Sequence, residues 1–343
     1  MDVVPHLRTE ITEIVTGLGT LGHADPAVAL QHRPPQLRNV DDGAWDRVVE
    51  AWQRREYGQE FHAAFRNGEA FLRSPGALRG KVPALVEWKG AQRPPAYERV
   101  PADLRIDHVY LVSCKYLSKI LHNSAPVNLF DHGLDPGAGR TVTAADWFDE
   151  VAPEEHRALL EAVRSEVGGG VGLRDLPDQP ADLTGEQRSA LREALRSGWP
   201  GDSAVAYAAL GEAVGQVSAQ RWRRRLGRRA AREEMAWRLL RLQSAPYFVL
   251  GTSDDAVLRV RVGTPWDWRQ RFDLLDVEVA GEPAGQPRVR WSVTVHDRES
   301  DTDRCVRGHV EIRWSHGRFA RPPEAKVYLD TPHRDVPGYF PLD

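Results

Sequence analysis

The chain has 343 residues, of which 41% are hydrophobic and 28% charged, a balance that fits a folded globular protein and excludes a disordered chain, a collagen or a coiled-coil fibre. Forty-six basic against 49 acidic residues leave a net charge of −3, so any argument for a polyanion partner must rest on local clusters. Two cysteines, Cys114 and Cys305, cannot build a disulfide scaffold or a four-thiolate zinc site; no stretch approaches the ~20 apolar residues of a bilayer span, and the first residues lack a signal-peptide pattern. The expectation is a cytoplasmic protein in a reducing compartment, with no membrane partner and about two domains.

Residues 1–40 read as a helix around Leu7–Leu18 and a loop containing His32-Arg33-Pro34-Pro35, with no visible chemistry. Asp41-Asp42 supplies an N-cap for a helix whose Trp45, Val48, Val49 and Trp52 share a face, and Phe61, Ala64, Phe65 and Leu72 resume that stripe after a break near Gly58. Val82–Lys89 and Ile106–Tyr116 read as strands, the second apolar on both faces and therefore central, with a Pro-containing loop from Arg93 to Pro101 between them. Leu117–Leu121 reads as a short helix ended by Asn123-Ser124-Ala125-Pro126. Helices follow at about 143–166, at about 184–197, where Thr184 and Gln187 have capping-box spacing, and at about 203–243. From Pro246 the pattern becomes strands: Tyr247–Leu250, Val257–Val262, Leu274–Val279, Val289–Val295, Cys305–Trp314 and Lys326–Leu329. The chain thus divides into 1–165, helices plus an α/β segment; 166–245, a helical block; and 246–343, a mostly β part.

Only five of the 46 basic residues are lysines, Lys81, Lys89, Lys115, Lys119 and Lys326, so each is a position where a compact, titratable amine was kept. Lys115 ends the central strand, on the same face as Ser113 by alternation. A strand-end lysine that snorkels to solvent is the plain alternative. Four acids are candidates to join it. Asp107 lies eight residues earlier, ~26 Å away in one continuous strand at ~3.3 Å per residue, too far to share a metal unless the chain reverses. Asp103 reaches Val112 and Ser113 if Asp107-His108 forms a hairpin turn, although that turn lacks the usual Gly. Glu87 reaches Ser113 or Lys115 if its strand pairs antiparallel with theirs, bringing Lys89 with it, and Glu69 is the acid late in the long helix. Glu324-Ala325-Lys326 repeats the Glu-x-Lys spacing of Glu87-Trp88-Lys89, but follows Arg321-Pro322-Pro323 and reads as chance.

Ser113-Cys114-Lys115, followed by Leu121-His122-Asn123-Ser124-Ala125-Pro126, resembles a variant of the PD-(D/E)xK restriction-endonuclease-like superfamily in which a small residue replaces the acid before x-Lys. The resemblance spans about residues 42–150. It implies an α+β fold with a restriction-endonuclease-like α/β core, a helical block and a mostly β C-terminal part. It implies catalysis by Lys115 with Mg²⁺ or Mn²⁺; the strand geometry above adds Glu87, Lys89 and Ser113 to the catalytic set and offers Glu87, Asp103, Asp107 and Glu69 as the metal-holding carboxylates. The activity implied is DNA endonuclease or nickase, in restriction or anti-phage defence, with protein partners of a defence complex; an oligomer is compatible with it. Ser113 departs from the motif, which keeps open a catalytically silent nucleic-acid-binding or assembly subunit. A protein–protein scaffold built on the β part is a third class.

The strongest local charge is at residues 221–241, where nine arginines oppose Glu233 and Glu234. On one helix, Arg221, Arg225, Arg228, Arg229 and Arg232 share a face opposite the stripe Trp222, Leu226, Ala230, Trp237 and Leu240, which offers a phosphate-contacting surface, with Asn123 as a further nucleic-acid contact. The alternative is a solvated face, or pairing with Asp146, Asp149, Glu150, Glu154 and Glu155. Gly133–Arg140 lacks the Gly-Lys-Ser/Thr ending of a phosphate loop, and the twelve histidines show no metal-ligand spacing.

Overall fold

The structure, a computed structural model, describes residues 7–31, 33–90, 102–116, 120–135, 146–253 and 256–342. Its helices are α1 (Leu7–Gly19), α2 (Pro26–Gln31), α3 (Asp42–Gln53), α4 (Gly58–Arg73), α5 (Pro126–Phe130), α6 (Trp147–Val151), α7 (Pro153–Val167), α8 (Gly185–Ala194), α9 (Gly201–Arg225), α10 (Arg229–Leu239) and α11 (Pro265–Arg271). Its strands are β1 (Leu37–Arg38), β2 (Val86–Trp88), β3 (Leu104–Ile106), β4 (Tyr110–Tyr116), β5 (Ile120–Ser124), β6 (Tyr247–Ser253), β7 (Ala256–Val262), β8 (Phe272–Pro283), β9 (Pro287–Asp297), β10 (Thr302–Arg313), β11 (Glu324–Leu329) and β12 (Tyr339–Pro341). They form an α+β protein of two compact units, 1–119 with 241–271 and 333–343, and 120–240 with 272–332. Among the described residues no helix is long and apolar enough to cross a membrane.

The first unit is built on a seven-stranded mixed sheet in the order β1-β2-β3-β4-β6-β7-β12, with β1–β2 and β4–β6 parallel and the other pairs antiparallel. Ile11, Ile14, Val15 and Leu18 of α1 and Phe61, Phe65 and Phe71 of α4 pack in one core with Val86, Leu104, Val112, Phe248 and Leu250 of the sheet. The two helices cross where both have glycine: a Cβ on Gly68 would lie 2.0 Å from the Thr16 carbonyl oxygen, and one on Gly19 2.2 Å from that of Phe65. Toward the sheet α1 presents Gly17, where a Cβ would lie 3.1 Å from Val86 Cγ1 of β2. Asp41 caps α3 by accepting from the Ala44 N–H, as its position predicts.

The second unit carries a five-stranded antiparallel sheet, β5-β11-β10-β9-β8. The 25-residue α9 lies on β8 and β9, its Gly211 and Gly215 against the backbone of Gln286 and Arg288. Its Ser218 accepts the buried Trp147 Nε1–H at 3.0 Å. Thr184 and Gln187 form the capping box that starts α8.

Four expectations change. Ile106–Tyr116 is not one strand: Asp107 and His108 both take left-handed φ, 48° and 60°, and the Val109 N–H closes the turn on the Ile106 carbonyl, so β3 and β4 are a hairpin. Ile120-Leu121, read as helix, lies in β5, which pairs with β11; residues 117–119 lie outside the described set. The helical region read over 203–243 holds two helices parted at Leu226-Gly227, so Arg221 to Arg232 do not lie on one helix as read. The β part read over 246–343 contributes to both sheets, because β6, β7 and β12 join β4 while β8 to β11 join β5. Segment 1–165 likewise feeds both units, and 166–245 falls mainly in the second. The Arg93–Pro101 loop, most of Gly133–Arg140 and the start of the helix read from 143 fall outside the described residues.

Left-handed φ at a non-glycine residue costs roughly 1–2 kcal/mol. His108→Gly is therefore expected to raise stability by about 0.5–1 kcal/mol, the higher backbone entropy of unfolded glycine offsetting part of the gain. Urea denaturation measures it; a destabilised variant would mean that the His108 contact with Glu87, at 3.4 Å, outweighs the strain.

Candidate active site

The hairpin register, Leu104 opposite Val112, sets Asp103 beside Ser113. The Asp103 N–H donates to the Val112 carbonyl at 2.7 Å, and its Oδ2 accepts from the Cys114 N–H at 2.6 Å and the Ser113 hydroxyl at 3.2 Å. From β2, the Lys89 N–H donates to the Asp103 carbonyl at 2.9 Å, so both neighbouring strands pin this residue. The α1 helix adds Glu13, whose Oε2 accepts the Trp88 indole N–H at 2.6 Å. Glu13, Asp103, Cys114 and Lys115 line a cleft of about 230 Å³ with Arg8, Thr9 and Thr12 of α1.

Burial of like charges governs this cleft. Glu13 is pushed up to about 8, first by burial and then by the Asp103 charge, against the opposing pull of the Trp88 N–H and Lys115. Burial also raises Asp103, opposed by Lys115, the Cys114 N–H and the Ser113 hydroxyl. Burial and the nearby Arg241 charge lower Lys115, while Asp103 and Glu13 hold it up. The Cys114 thiol is pushed well above its usual value by burial, so it is an inert wall and not a nucleophile. Two hard carboxylates and one amine with a depressed pKa therefore share a small space, where a proton or a cation relieves the repulsion.

The structure joins Asp103, Ser113 and Lys115, as the hairpin alternative required, and adds Glu13, which sequence reasoning missed. An acid flanking the Ile11, Ile14, Val15 and Leu18 stripe was the available signal. The strand pairing that would have carried Glu87 to Lys115 does not occur, because β3 lies between β2 and β4. Glu87 stands opposite Arg105 and takes two bonds from its guanidinium, at 2.6 and 2.7 Å, which lower its pKa. Lys89 is buried at the end of β2 and meets Asp103 through its backbone. Asp107 has a structural task, its Oδ1 accepting the Leu85 N–H at 2.9 Å. Glu69 pairs with Arg73 on the outer side of α4, so the helical acid of this cleft is Glu13.

In the second unit, the expected single arginine face is broken by the turn between α9 and α10. Arg221 binds Asp131 and Glu150 at 2.9 and 2.6 Å and lies over the Trp147 ring, and Arg232 binds Asp276 at 3.0 Å, so these two act as internal partners. Arg225, Arg228 and Arg229 are exposed, with Arg223 and Arg224 beside them. Asn123 sits on β5 opposite Lys326 of β11, whose amine is 3.8 Å from Glu324. Asp146, Asp149 and His156 bring ligand-type atoms within 4.8 Å of one another. Packing accounts for that group: Asp146 caps α6 through the Phe148 N–H, and His156, bonded to Asp149 at 2.6 Å, stacks on Phe319.

Comparison of the chain with protein-family models, with curated proteins and with solved structures returns no match.

Because Glu13 is raised from about 4.5 to about 8, the folded state holds a proton that the unfolded state has lost, and stability falls as pH rises through that window. Asp103, also raised, adds to the same trend. Glu13→Gln should flatten the fall by an amount on the order of a few kcal/mol across that range. Thermal melts at a series of pH values check it: parallel curves for variant and wild type would show that Glu13 titrates normally.

Proposed function

We propose that the unit built on the seven-stranded sheet is a divalent-metal-dependent phosphodiesterase acting on DNA, an endonuclease or nickase suited to restriction or anti-phage defence. The observation that carries this reading is the meeting of Glu13, Asp103 and Lys115 in one cleft, delivered by a helix, a hairpin and the central strand. An antiparallel β2-β3-β4 meander with β6 parallel to β4, covered by α1, supports the resemblance to the restriction-endonuclease-like superfamily.

Glu13 and Asp103 fit a Mg²⁺ or Mn²⁺ ion, since both offer oxygen donors, burial raises both, and the Asp103 charge raises Glu13 further. Bound there, the cation would supply Lewis-acid polarisation of a phosphoryl oxygen. The chain's own residues do the rest. Trp88 orients the Glu13 carboxylate, while Ser113 and the Cys114 N–H orient that of Asp103. Lys115, lining the same cleft with a lowered pKa, places a compact cation where charge develops on a phosphate and exchanges its proton more readily than an ordinary lysine. Exposed Arg225, Arg228 and Arg229 give the second unit a surface for backbone phosphates.

One observation favours the silent-subunit reading. Ser113 replaces the second strand acid, and its hydroxyl occupies Asp103 Oδ2 together with the Cys114 N–H. Plasmid nicking and cleavage with Mg²⁺ or Mn²⁺ separates the two. The catalytic reading expects turnover by the wild type and a loss of at least roughly 100-fold in Lys115→Met, which keeps the side-chain stem, with similar losses in Asp103→Asn and Glu13→Gln. Cleavage that survives Lys115→Met would overturn the assignment, and a wild type inactive with both metals would leave the silent subunit.

A further inference from the structure

A larger cleft lies wholly within the second unit, between α8, the start of α9, the β8–β9 loop and the turn after β10, with a volume of about 1290 Å³. Ordinary small-molecule pockets hold roughly 300–1,000 Å³, so this one has room for more than one ring-and-phosphate unit. Six arginines line it against a single carboxylate, Glu193. Their tasks differ. Arg188 is spent on the fold, donating to the carbonyls of Leu183, Pro180 and Phe319, and Arg313 pairs with Glu311 at 3.1 Å. Arg196 holds Glu193 only loosely, at 3.6 Å on the surface of α8. Arg192 and Arg321 are exposed and have no hydrogen bond or ion pair among the described residues.

The same cleft has an aromatic wall. Trp199 stacks on Tyr207 with centroids 4.6 Å apart and planes inclined by 26°, and Tyr207 continues the ladder to Trp314 at 6.3 Å and 24°. The Arg318 guanidinium lies 4.7 Å over the Trp199 ring and donates to the Leu195 carbonyl, which ties the wall to the end of α8. All three rings are half-buried and line the cleft, and Trp314 also packs on the buried Phe148 and Phe319, which ties the wall to the core. Gly317, at φ 101°, lets the turn after β10 close against the Arg192 side chain, which a Cβ there would meet at 2.7 Å.

We infer that this cleft binds nucleotides, the planar base against the ring edges of Trp199, Tyr207 and Trp314, whose faces are taken by one another and by Arg318, and the phosphates on Arg192, Arg196 and Arg321. Aromatic rings beside guanidinium groups that have no ion pair (Arg192, Arg321) or only a loose one (Arg196) match a ligand that is aromatic at one end and anionic at the other. The inference rests on the second unit alone and is independent of chemistry at Glu13, Asp103 and Lys115. The ligand has two sources, a free nucleotide or a residue of a single strand, and they share this recognition.

Isothermal titration of the full chain with adenosine 5′-monophosphate, the dinucleotide pApA, a six-nucleotide single-stranded DNA and ribose 5-phosphate tests the inference. Binding of at least one of the three base-containing probes is expected, at least tenfold tighter than ribose 5-phosphate. Arg192→Gln/Arg321→Gln should weaken it at least tenfold with an unchanged melting temperature, and Trp199→Phe should alter the tryptophan fluorescence change on binding. Equal affinity for pApA and the six-nucleotide strand supports a free-nucleotide ligand, and a preference for the strand supports captured nucleic acid. No binding of any base-containing probe, binding equal to that of ribose 5-phosphate, or binding unaltered by the double arginine variant would overturn the inference. An unchanged Lys115→Met variant in the same titration keeps this result apart from the fate of the nuclease reading.

Discussion

Two carboxylates held out of water beside one amine form the constraint from which the first unit is best understood. Burying a carboxylate without compensation costs several kcal/mol, and burying two together costs more. The fold meets that cost locally: an indole N–H on Glu13, a backbone N–H and a hydroxyl on Asp103, and the Lys115 amine near both. The compensation is partial, which is why Glu13 stays raised to about 8. In such a cleft a cation can take the place of the proton held on Glu13, and perturbed groups gathered in a cleft are candidates for a functional site.

Everything near that cleft serves to place three side chains from distant parts of the chain. The Gly19–Gly68 crossing packs α1 against α4, Gly17 faces Val86 and Leu104 of the sheet, the Asp107-His108 turn doubles β3 back on β4, and Gly251 of β6 lies so close to Lys115 that a Cβ there would fall 2.2 Å from its carbonyl oxygen. Asp107 and Glu87 act at one remove: Asp107 ties the turn to Leu85, and Glu87 locks β2 to β3 through Arg105. Acids that looked catalytic by spacing are thus parts of the frame that holds the cleft.

What was legible follows from what is local. Caps, amphipathic stripes and strand alternation gave α3, α4, α8 and the strands from β6 to β11, because each depends on neighbours within a turn or a strand. The two-sheet division was not legible, since alternation shows that a segment is a strand and not which sheet it joins. Asp103 could be found by asking how an acid twelve residues from Lys115 could return to it, and the answer required left-handed φ at Asp107 and His108, two residue types that tolerate it better than most. Glu13 was out of reach of such reasoning: it sits 102 positions before Lys115, and only the packing of α1 on the sheet brings them together. The arginine run was legible as charge, with pairing to Glu150 among its alternatives, but not as geometry. Its charge is local, but the Leu226-Gly227 break and the acids facing Arg221 and Arg232 belong to the tertiary structure.

The space between the Glu13 and Asp103 carboxylates is where a bound divalent cation would sit. Anomalous diffraction from crystals soaked in Mn²⁺ observes it directly. The account predicts an anomalous peak within coordination distance of both carboxylates in the wild type, about 2.0–2.2 Å from oxygen as for a small hard divalent ion, and its loss in Glu13→Gln. Crystals of the wild type with Mn²⁺ bound elsewhere and this cleft empty would contradict it.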